Sequence, residues 1–533
     1  IRAKLKTFQD TIAALNPEVY LQKVPFVIQE SLFESKSLPK WTTLELGLFE
    51  LSNFADSLRS NLIGIPKDQI TLLKPYGVFQ EFFVKLVNSD WILSMNHPLI
   101  QLLFFELIVR HYPFLKVTED QLIVFRTLHL FTSPCAIFSL LEKVRVRSWY
   151  LFFKFVKLAR PRIPLETLQE TAKQLQPLLV IKAELPTKDE DEDIVESGNF
   201  NGQMYLFETA GLLLANAKDG APEILEFLLS PLFADLEACV RQELDSPLVQ
   251  LQAHHDLMAI GTISSGYTSG SEQKHNVNAI SKINNAAQVV LFTLETFSKL
   301  EKVRDGARFA FARFIPILGE AITNHLSKLV LLFLSAPELK YSEMTDFLGF
   351  VGQIAHQFQK NENIYQLLNG LVLPLVEKSF SMIKFRGANN EFDNMPNVQR
   401  DKNALKKAYM NFLTSIVTNH QASLLITETN RNKFPEIIEL LFESATYLED
   451  ATVSRLGVIE ITNFVIAFGA NGKINDPEDK LGVALPAVEG VDQYLMTKLL
   501  QLLFEFPLQH TQFDIKDAQL RIVAQEMAVL LKT

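Results

Sequence analysis

Between Lys143 and Arg162 the chain reads KVRVRSWYLFFKFVKLARPR. Its first half, VRVRSWYLFF, is rich in β-branched and aromatic residues and could be taken alone for a strand. A helix reads the same letters differently. At about 100° per residue, Lys143, Arg147, Tyr150, Lys154 and Lys157 fall on one face. Trp149, Phe152, Phe153 and Val156 then occupy the side toward neighbouring helices. The run is far longer than the roughly 5–6 residues of a common strand, and helical periodicity flanks it, so it is read as helix.

Outward from this stretch the helical signal recurs. After Pro164, the residues Leu165, Leu168, Ala172, Leu175 and Leu179 mark an apolar stripe, with Glu166, Gln169, Lys173 and Gln176 on the polar side. Ile437, Leu441, Ser444 and Leu448 repeat the pattern with Glu436, Glu439 and Glu443 outward, as do Leu520, Val523, Met527 and Leu530. Leu329–Leu334 and Leu371–Val376 are apolar nearly all round and call for cover on both sides. Alternating one-faced and two-faced helices are what stacked helical hairpins produce. About 22 such segments predict an all-α chain, a HEAT-like α-solenoid of about eleven antiparallel helix pairs running as a single array over 1–533. Internal repetition supports this. Phe227–Phe233 resembles Gly370–Val376, and Arg-bearing helix starts recur near Arg147, Arg304 and Arg455.

Four stretches interrupt the periodicity. Residues 184–202 (ELPTKDEDEDIVESGNFNG) predict an acidic mobile loop, and 261–278 (GTISSGYTSGSEQKHNVN) a Gly/Ser-rich one. Residues 386–403 and 470–491 read as polar loops with Asn, Gly and Pro. Helices of the same style resume after each, so none reads as a domain linker.

Composition narrows the function. Cys135 and Cys239 are the two cysteines, too few for a disulfide framework or a Cys-built metal site. Trp91–Val109 is long and apolar, but Asn96, His97, Pro98, Gln101 and Glu106 interrupt what a membrane span keeps clean. The chain opens at Ile1 with periodicity already running and reads as a fragment of something longer. No phosphate-binding glycine loop, HExxH or nucleophile elbow appears, and Gly266–Gly270 has Thr where an elbow needs its nucleophile. His254, His255 and Asp256 are adjacent on a helix, about 100° apart, and do not converge on one ion. No catalytic residue, cofactor or metal is expected.

A net charge of −10 argues against a nucleic-acid partner only if the cations are evenly spread. They are not. Lys143, Arg145, Arg147, Lys154, Lys157, Arg160 and Arg162 stand together with no acidic residue among them. An aromatic face behind them would hold them rigidly, as phosphate positioning requires. The plain alternative is a solvated face, or the Arg that HEAT-type helices carry to bond a neighbouring repeat. Weaker candidates are Arg304 and Arg308, beside Lys299 and Lys302 but diluted by Glu301 and Asp305, and Lys406 and Lys407, which follow Arg400 and Lys402.

The stretch Val144–Lys157 resembles a segment in the C-terminal half of the exportin-T family. So do YLFETAGLLLAN (Tyr205–Asn216), LLSPL (Leu228–Leu232), HHDLMAIGTISSGYTSG (His254–Gly270), VRDGARFAFARFIPIL (Val303–Leu318) and LKKAYMNFLTSIVTN (Leu405–Asn419), in the order that family would have them. The resemblance implies a monomeric karyopherin-type receptor that is no enzyme and inserts in no membrane. It would bind tRNA together with Ran-GTP, meet FG nucleoporins, and shuttle between nucleus and cytoplasm. Ran-GTP would be held mainly by N-terminal repeats absent from this chain. A karyopherin with protein cargo, and a HEAT scaffold with no transport role, are the alternatives.

Overall fold

The computed structural model describes residues 2–34, 39–61, 69, 73–115, 121–185, 192–242, 246–268, 277–384, 395–469 and 490–533. Among them there is no strand. Among the described residues twenty-three α-helices follow one another, two of them only four residues long, and several short 3-10 turns lie between. The fold is an all-α, HEAT-like solenoid. The stretch that could pass for a strand lies inside the helix Glu142–Ala159, which stops where Pro161 enters a 3-10 turn.

The chain divides into two compact units, residues 1–283 and 284–533, with the boundary inside the helix Val277–Thr296. In the first unit, helices Trp41–Asn61, Pro98–Leu115, Glu142–Ala159, Glu192–Ala215 and Pro247–Ser265 touch in succession as one row. A second layer, including Lys74–Val87 with Gln121–Phe131 and Leu165–Gln174 with Pro222–Val240, lies against that row. The second unit repeats the plan with a row of Glu301–Leu318, Tyr341–Gln357, Pro396–Thr418, Ala451–Phe468 and Ala518–Lys532. A row helix is flanked on both sides and backed by the second layer, so its buried arc is wide. In Glu142–Ala159 nine residues are buried, from Val144 and Ser148 through Trp149, Phe152 and Phe155 to Ala159.

Several sequence expectations meet a different structure. The acidic run 184–202 is not a loop throughout. Residues 186–191 fall outside the described set, but 192–202 open the 24-residue helix Glu192–Ala215. Phe200 is buried and stacks on His255 at 3.9 Å, and Gly202 lies against the Trp149 ring. Those two anchors are what the polar composition concealed. The Gly/Ser-rich run 261–278 is likewise helical at its start. Thr262 and Ser264 are buried, yet their hydroxyls donate to the carbonyls of Met258 and Ile260 at 2.8 Å, which removes the cost of burying them. Residues 269–276 lie outside the described set. Of 386–403, residues 396–403 belong to the helix Pro396–Thr418 and 386–394 are outside the described residues, as are 470–489. The stripe after Pro164 leaves the α-helix at Gln174 and finishes in a 3-10 turn at Gln176–Leu178, because Pro177 cannot donate. Leu331 is 67% exposed, so its apolar helix is not covered all round.

By length and hydropathy the stretches Glu301–Leu334 and Ala451–Phe468 could cross a membrane. The first is broken at Gly319, where φ is +54°, and buries Arg304; the second buries Glu460. Both lie packed in the helical stack.

In the first unit the glycines do their most exacting work where Glu192–Ala215 crosses Pro247–Ser265. A Cβ on Gly211 would overlap the Ile263 carbonyl oxygen, and one on Gly266 would overlap the Gly211 backbone. The backbones touch with nothing between them. Next to this crossing, Tyr267 donates its hydroxyl to the Gly220 carbonyl at 2.8 Å. Gly211→Ala should therefore destabilise the protein by at least the ~1–3 kcal/mol of an overpacked core, since a backbone oxygen cannot rotate away. Gly77→Ala, inside a helix with nothing within 4 Å of the new methyl, should raise stability slightly. Thermal melts of both variants check this; equal melting of Gly211→Ala and the parent would remove the crossing as a constraint.

Glu460 supplies a pH dependence in the second unit. It is fully buried, and burial raises its carboxyl pKa from 4.5 to about 7, against the opposing bonds from Thr414 and Asn463. Thr414 Oγ1 lies 3.0 Å from the Met410 carbonyl and 2.5 Å from Glu460 Oε2, and Asn463 donates to the same oxygen at 2.9 Å, but burial outweighs both bonds. The folded chain thus holds a proton that the unfolded chain releases between about pH 4.5 and 7. Stability must fall as pH rises through that window. Glu460→Gln should remove this slope and be more stable than the parent above pH 7, by something on the order of 3 kcal/mol in unfolding free energy. Parallel slopes for the two proteins from pH 4.5 to 8 would contradict the assignment.

Candidate nucleic-acid interface

The helix Glu142–Ala159 lies in the first row between Pro98–Leu115 and Glu192–Ala215. Its buried arc sets its rotation. Phe155 packs edge-on against Tyr112 at 5.4 Å and stacks on Phe131 at 5.3 Å, and the Trp149 indole donates to the Ile137 carbonyl at 3.1 Å. With that arc fixed, Lys143, Arg147 and Lys157 are exposed and Tyr150 and Lys154 half-buried, on the face read from the sequence.

The cations of this face rest on aromatic rings. Arg147 and Lys154 lie over Tyr150 at 5.0 and 5.5 Å, and Lys157 over Phe153 at 5.4 Å. Such contacts hold a flexible side chain near one position without neutralising it. Arg147 is also paired with Glu106 of the neighbouring helix at 3.0 Å. Lys143, Lys154 and Lys157 have no carboxylate within ion-pair distance among the described residues. Arg145 points away from this face, donating from Nη1 to the Ser139 carbonyl at 3.0 Å beside the Trp149 ring. Arg160 and Arg162 sit in the turn that ends the helix, both half-buried. Burial raises the Tyr112 phenol pKa, and the Arg162 charge works against that rise.

The candidates in the second unit are differently placed. Arg304 is 1% exposed, donates from Nε and Nη2 to the two carboxylate oxygens of Glu343 at 2.7 and 2.9 Å, and from Nη1 to the Ser298 carbonyl. A ligand cannot reach it. It is the structural Arg that ties one repeat to the next, which corrects its inclusion among the contact residues. Arg308 is held between Asp305 and Asp346, and Lys407 pairs with Asp450 at 2.8 Å. Lys406 lies over Tyr447 at 3.8 Å, and burial pulls its pKa below the ordinary lysine value. These four are engaged within the fold, so the basic face belongs to the first unit.

One signal was missed in the sequence. Ser139-Leu-Leu-Glu-Lys-Val-Arg145 and Ser298-Lys-Leu-Glu-Lys-Val-Arg304 are two copies of one motif. Both arginines reach back to the serine carbonyl six residues earlier. Phe152 and Phe155 match Phe311 and Phe314, all fully buried. Lys154 over Tyr150 matches Arg313 over Phe309. The counterpart of Arg304 is therefore Arg145, not Arg147. Tyr205, on the next helix, was also missed. It meets Tyr150 edge-on at 5.1 Å and extends the face beyond the helix that carries the cations.

Among the described residues no group of three His, Cys, Asp or Glu side chains could hold a metal ion. The rings of His254 and His255 lie 5.7 Å apart and are tilted by 48°.

Comparison with known proteins places these features. The family model described as Exportin-T matches residues 1–533. Exportin-T of Debaryomyces hansenii is 54% identical over the whole chain, that of Scheffersomyces stipitis 50%, and that of Saccharomyces cerevisiae strain YJM789 32%. In each case the chain spans 54% of the relative, about half its length. Among solved structures, importin13 in its cytosolic state matches 99% of this chain and 67% of its own at a TM-score of 0.53 and 11% identity, a likeness of fold. With a family model that covers the chain from end to end and relatives at this identity, the chain belongs to the exportin-T family.

Proposed function

We propose that the chain is the tRNA-binding part of a Ran-GTP-dependent nuclear export receptor. Family membership supports the receptor, and the observation that carries the tRNA reading is the set of lysines on Glu142–Ala159 with no carboxylate partner among the described residues, in a chain of net charge −10. Three lysines without carboxylate partners among the described residues, two of them seated on rings, offer phosphates fixed counter-charges. An A-form stem hides its base edges in a deep, narrow groove, so a receptor for many tRNAs must read backbone and shape. This face does that without base-specific pockets. Arg145, Arg160 and Arg162 border it.

In this reading Ran-GTP binds mainly through repeats outside this chain. Ran-GTP and tRNA favour the same state of the receptor, and linkage makes their coupling reciprocal. FG nucleoporins carry the monomeric receptor between nucleus and cytoplasm.

The experiment is tRNA binding by the full-length protein across a salt series with Ran-GTP saturating. Lys154→Ala with Lys157→Ala should weaken all tRNAs alike and flatten the dependence of log K on log salt by about 1.5 units. An unchanged slope in a protein of unchanged melting would reduce the stripe to a solvated face. Arg304→Ala should act in the opposite way. It leaves the Glu343 carboxylate buried and unpaired, at a cost of ~3–5 kcal/mol in stability, while the salt slope of the folded protein stays that of the parent.

A further inference from the structure

Lysine and arginine only donate hydrogen bonds, and a comb of cations attracts any polyanion. Selection of RNA over DNA needs a group that can answer the ribose 2′-hydroxyl, which both donates and accepts. A phenolic hydroxyl does both. Tyr150 stands in the middle of the basic stripe and Tyr205 on the next helix of the row, their rings edge-to-face at 5.1 Å. Phe153 wedges against Tyr205 at 5.6 Å from behind. Both tyrosines are half-buried, neither hydroxyl has a hydrogen-bond partner among the described residues, and neither oxygen is enclosed. Other tyrosines of the chain differ. Tyr267 and Tyr494 donate their hydroxyls to internal acceptors, that of Tyr365 is hydrogen-bonded to Ser423, and those of Tyr112 and Tyr409 are enclosed. Arg147 and Lys154 both lie over the Tyr150 ring, at 5.0 and 5.5 Å, so the phenol of Tyr150 stands beside the cations that would hold a phosphate.

From this placement we infer that Tyr150 and Tyr205 form a ribose-reading pair, through which the basic face distinguishes RNA from DNA by the 2′-hydroxyl. The inference rests on the tRNA reading above and adds to it the group that is recognised. The cations supply the pull and the two phenols the sugar selectivity, so the two functions sit in different residues and can be removed separately.

The test uses the full-length protein with Ran-GTP saturating, a tRNA, and its all-deoxy counterpart of the same sequence. Tyr150→Phe with Tyr205→Phe keeps both rings and removes only the hydroxyls. Affinity for the tRNA should fall by about threefold to tenfold for each hydroxyl, affinity for the deoxy molecule should hardly change, and the salt slope should stay that of the parent. The control, Lys154→Ala with Lys157→Ala, should weaken both nucleic acids together and flatten the slope. Loss of RNA and DNA binding in equal measure in the double phenylalanine variant, or no loss of either, overturns the ribose-reading pair while leaving the tRNA reading intact. A parent protein that binds neither nucleic acid overturns both.

Discussion

A helix buried along both flanks and its back has one rotational setting. Turning Glu142–Ala159 by a single residue's angle would push Trp149 or Phe152 into water and draw a lysine into the core. Burying one such aromatic is worth about 1.5–3 kcal/mol, and burying an unpaired charge costs more, so the setting is steeply favoured. The position of every cation on the open face follows from this. The aromatic core does not touch a ligand, but it decides which side chains can.

The two copies of the Ser-x-Leu-Glu-Lys-Val-Arg motif show how one scaffold supplies two outcomes. In the second unit the arginine is closed by Glu343, and Arg308, one turn on, is neutralised by Asp305 and Asp346. In the first unit the same framework, with the same buried phenylalanines, has Val146 where the second copy has Asp305, and carries Arg147 and Lys157 where that copy has Gly306 and Pro316. The difference lies in surface substitutions on a conserved internal pattern. Net charge over the whole chain could not have located it.

The helical class and the buried face of the basic helix were legible in the sequence because they depend on spacing, and spacing survives without coordinates. Val523, Met527 and Leu530 are buried as the periodicity requires. The loops were read less well, and the reason is chemical. Serine and threonine count as polar in any composition window, yet Thr262 and Ser264 satisfy their hydroxyls on the preceding turn and then behave as small core residues. Glycine counts as a breaker, yet Gly211 and Gly266 are required by a backbone contact between distant segments. Arg304 was misassigned because its partner, Glu343, lies 39 residues away and nothing local announces it. Tyr205 carries no local signal either, since its meaning comes from a neighbour on another helix.

The ties between helices are short in sequence. Arg147 reaches Glu106 over 41 residues, Arg304 reaches Glu343 over 39, and Arg455 reaches Glu526 over 71. Each repeat is therefore held by its neighbours, and stability adds along the row as in a one-dimensional chain. Such an object is elastic. A local opening need not spread, and the stack can flex at each joint at modest cost. A polyanion lying along Tyr150 and Tyr205 would act as a splint across one of those joints, converting a soft spring into a stiff one where it binds.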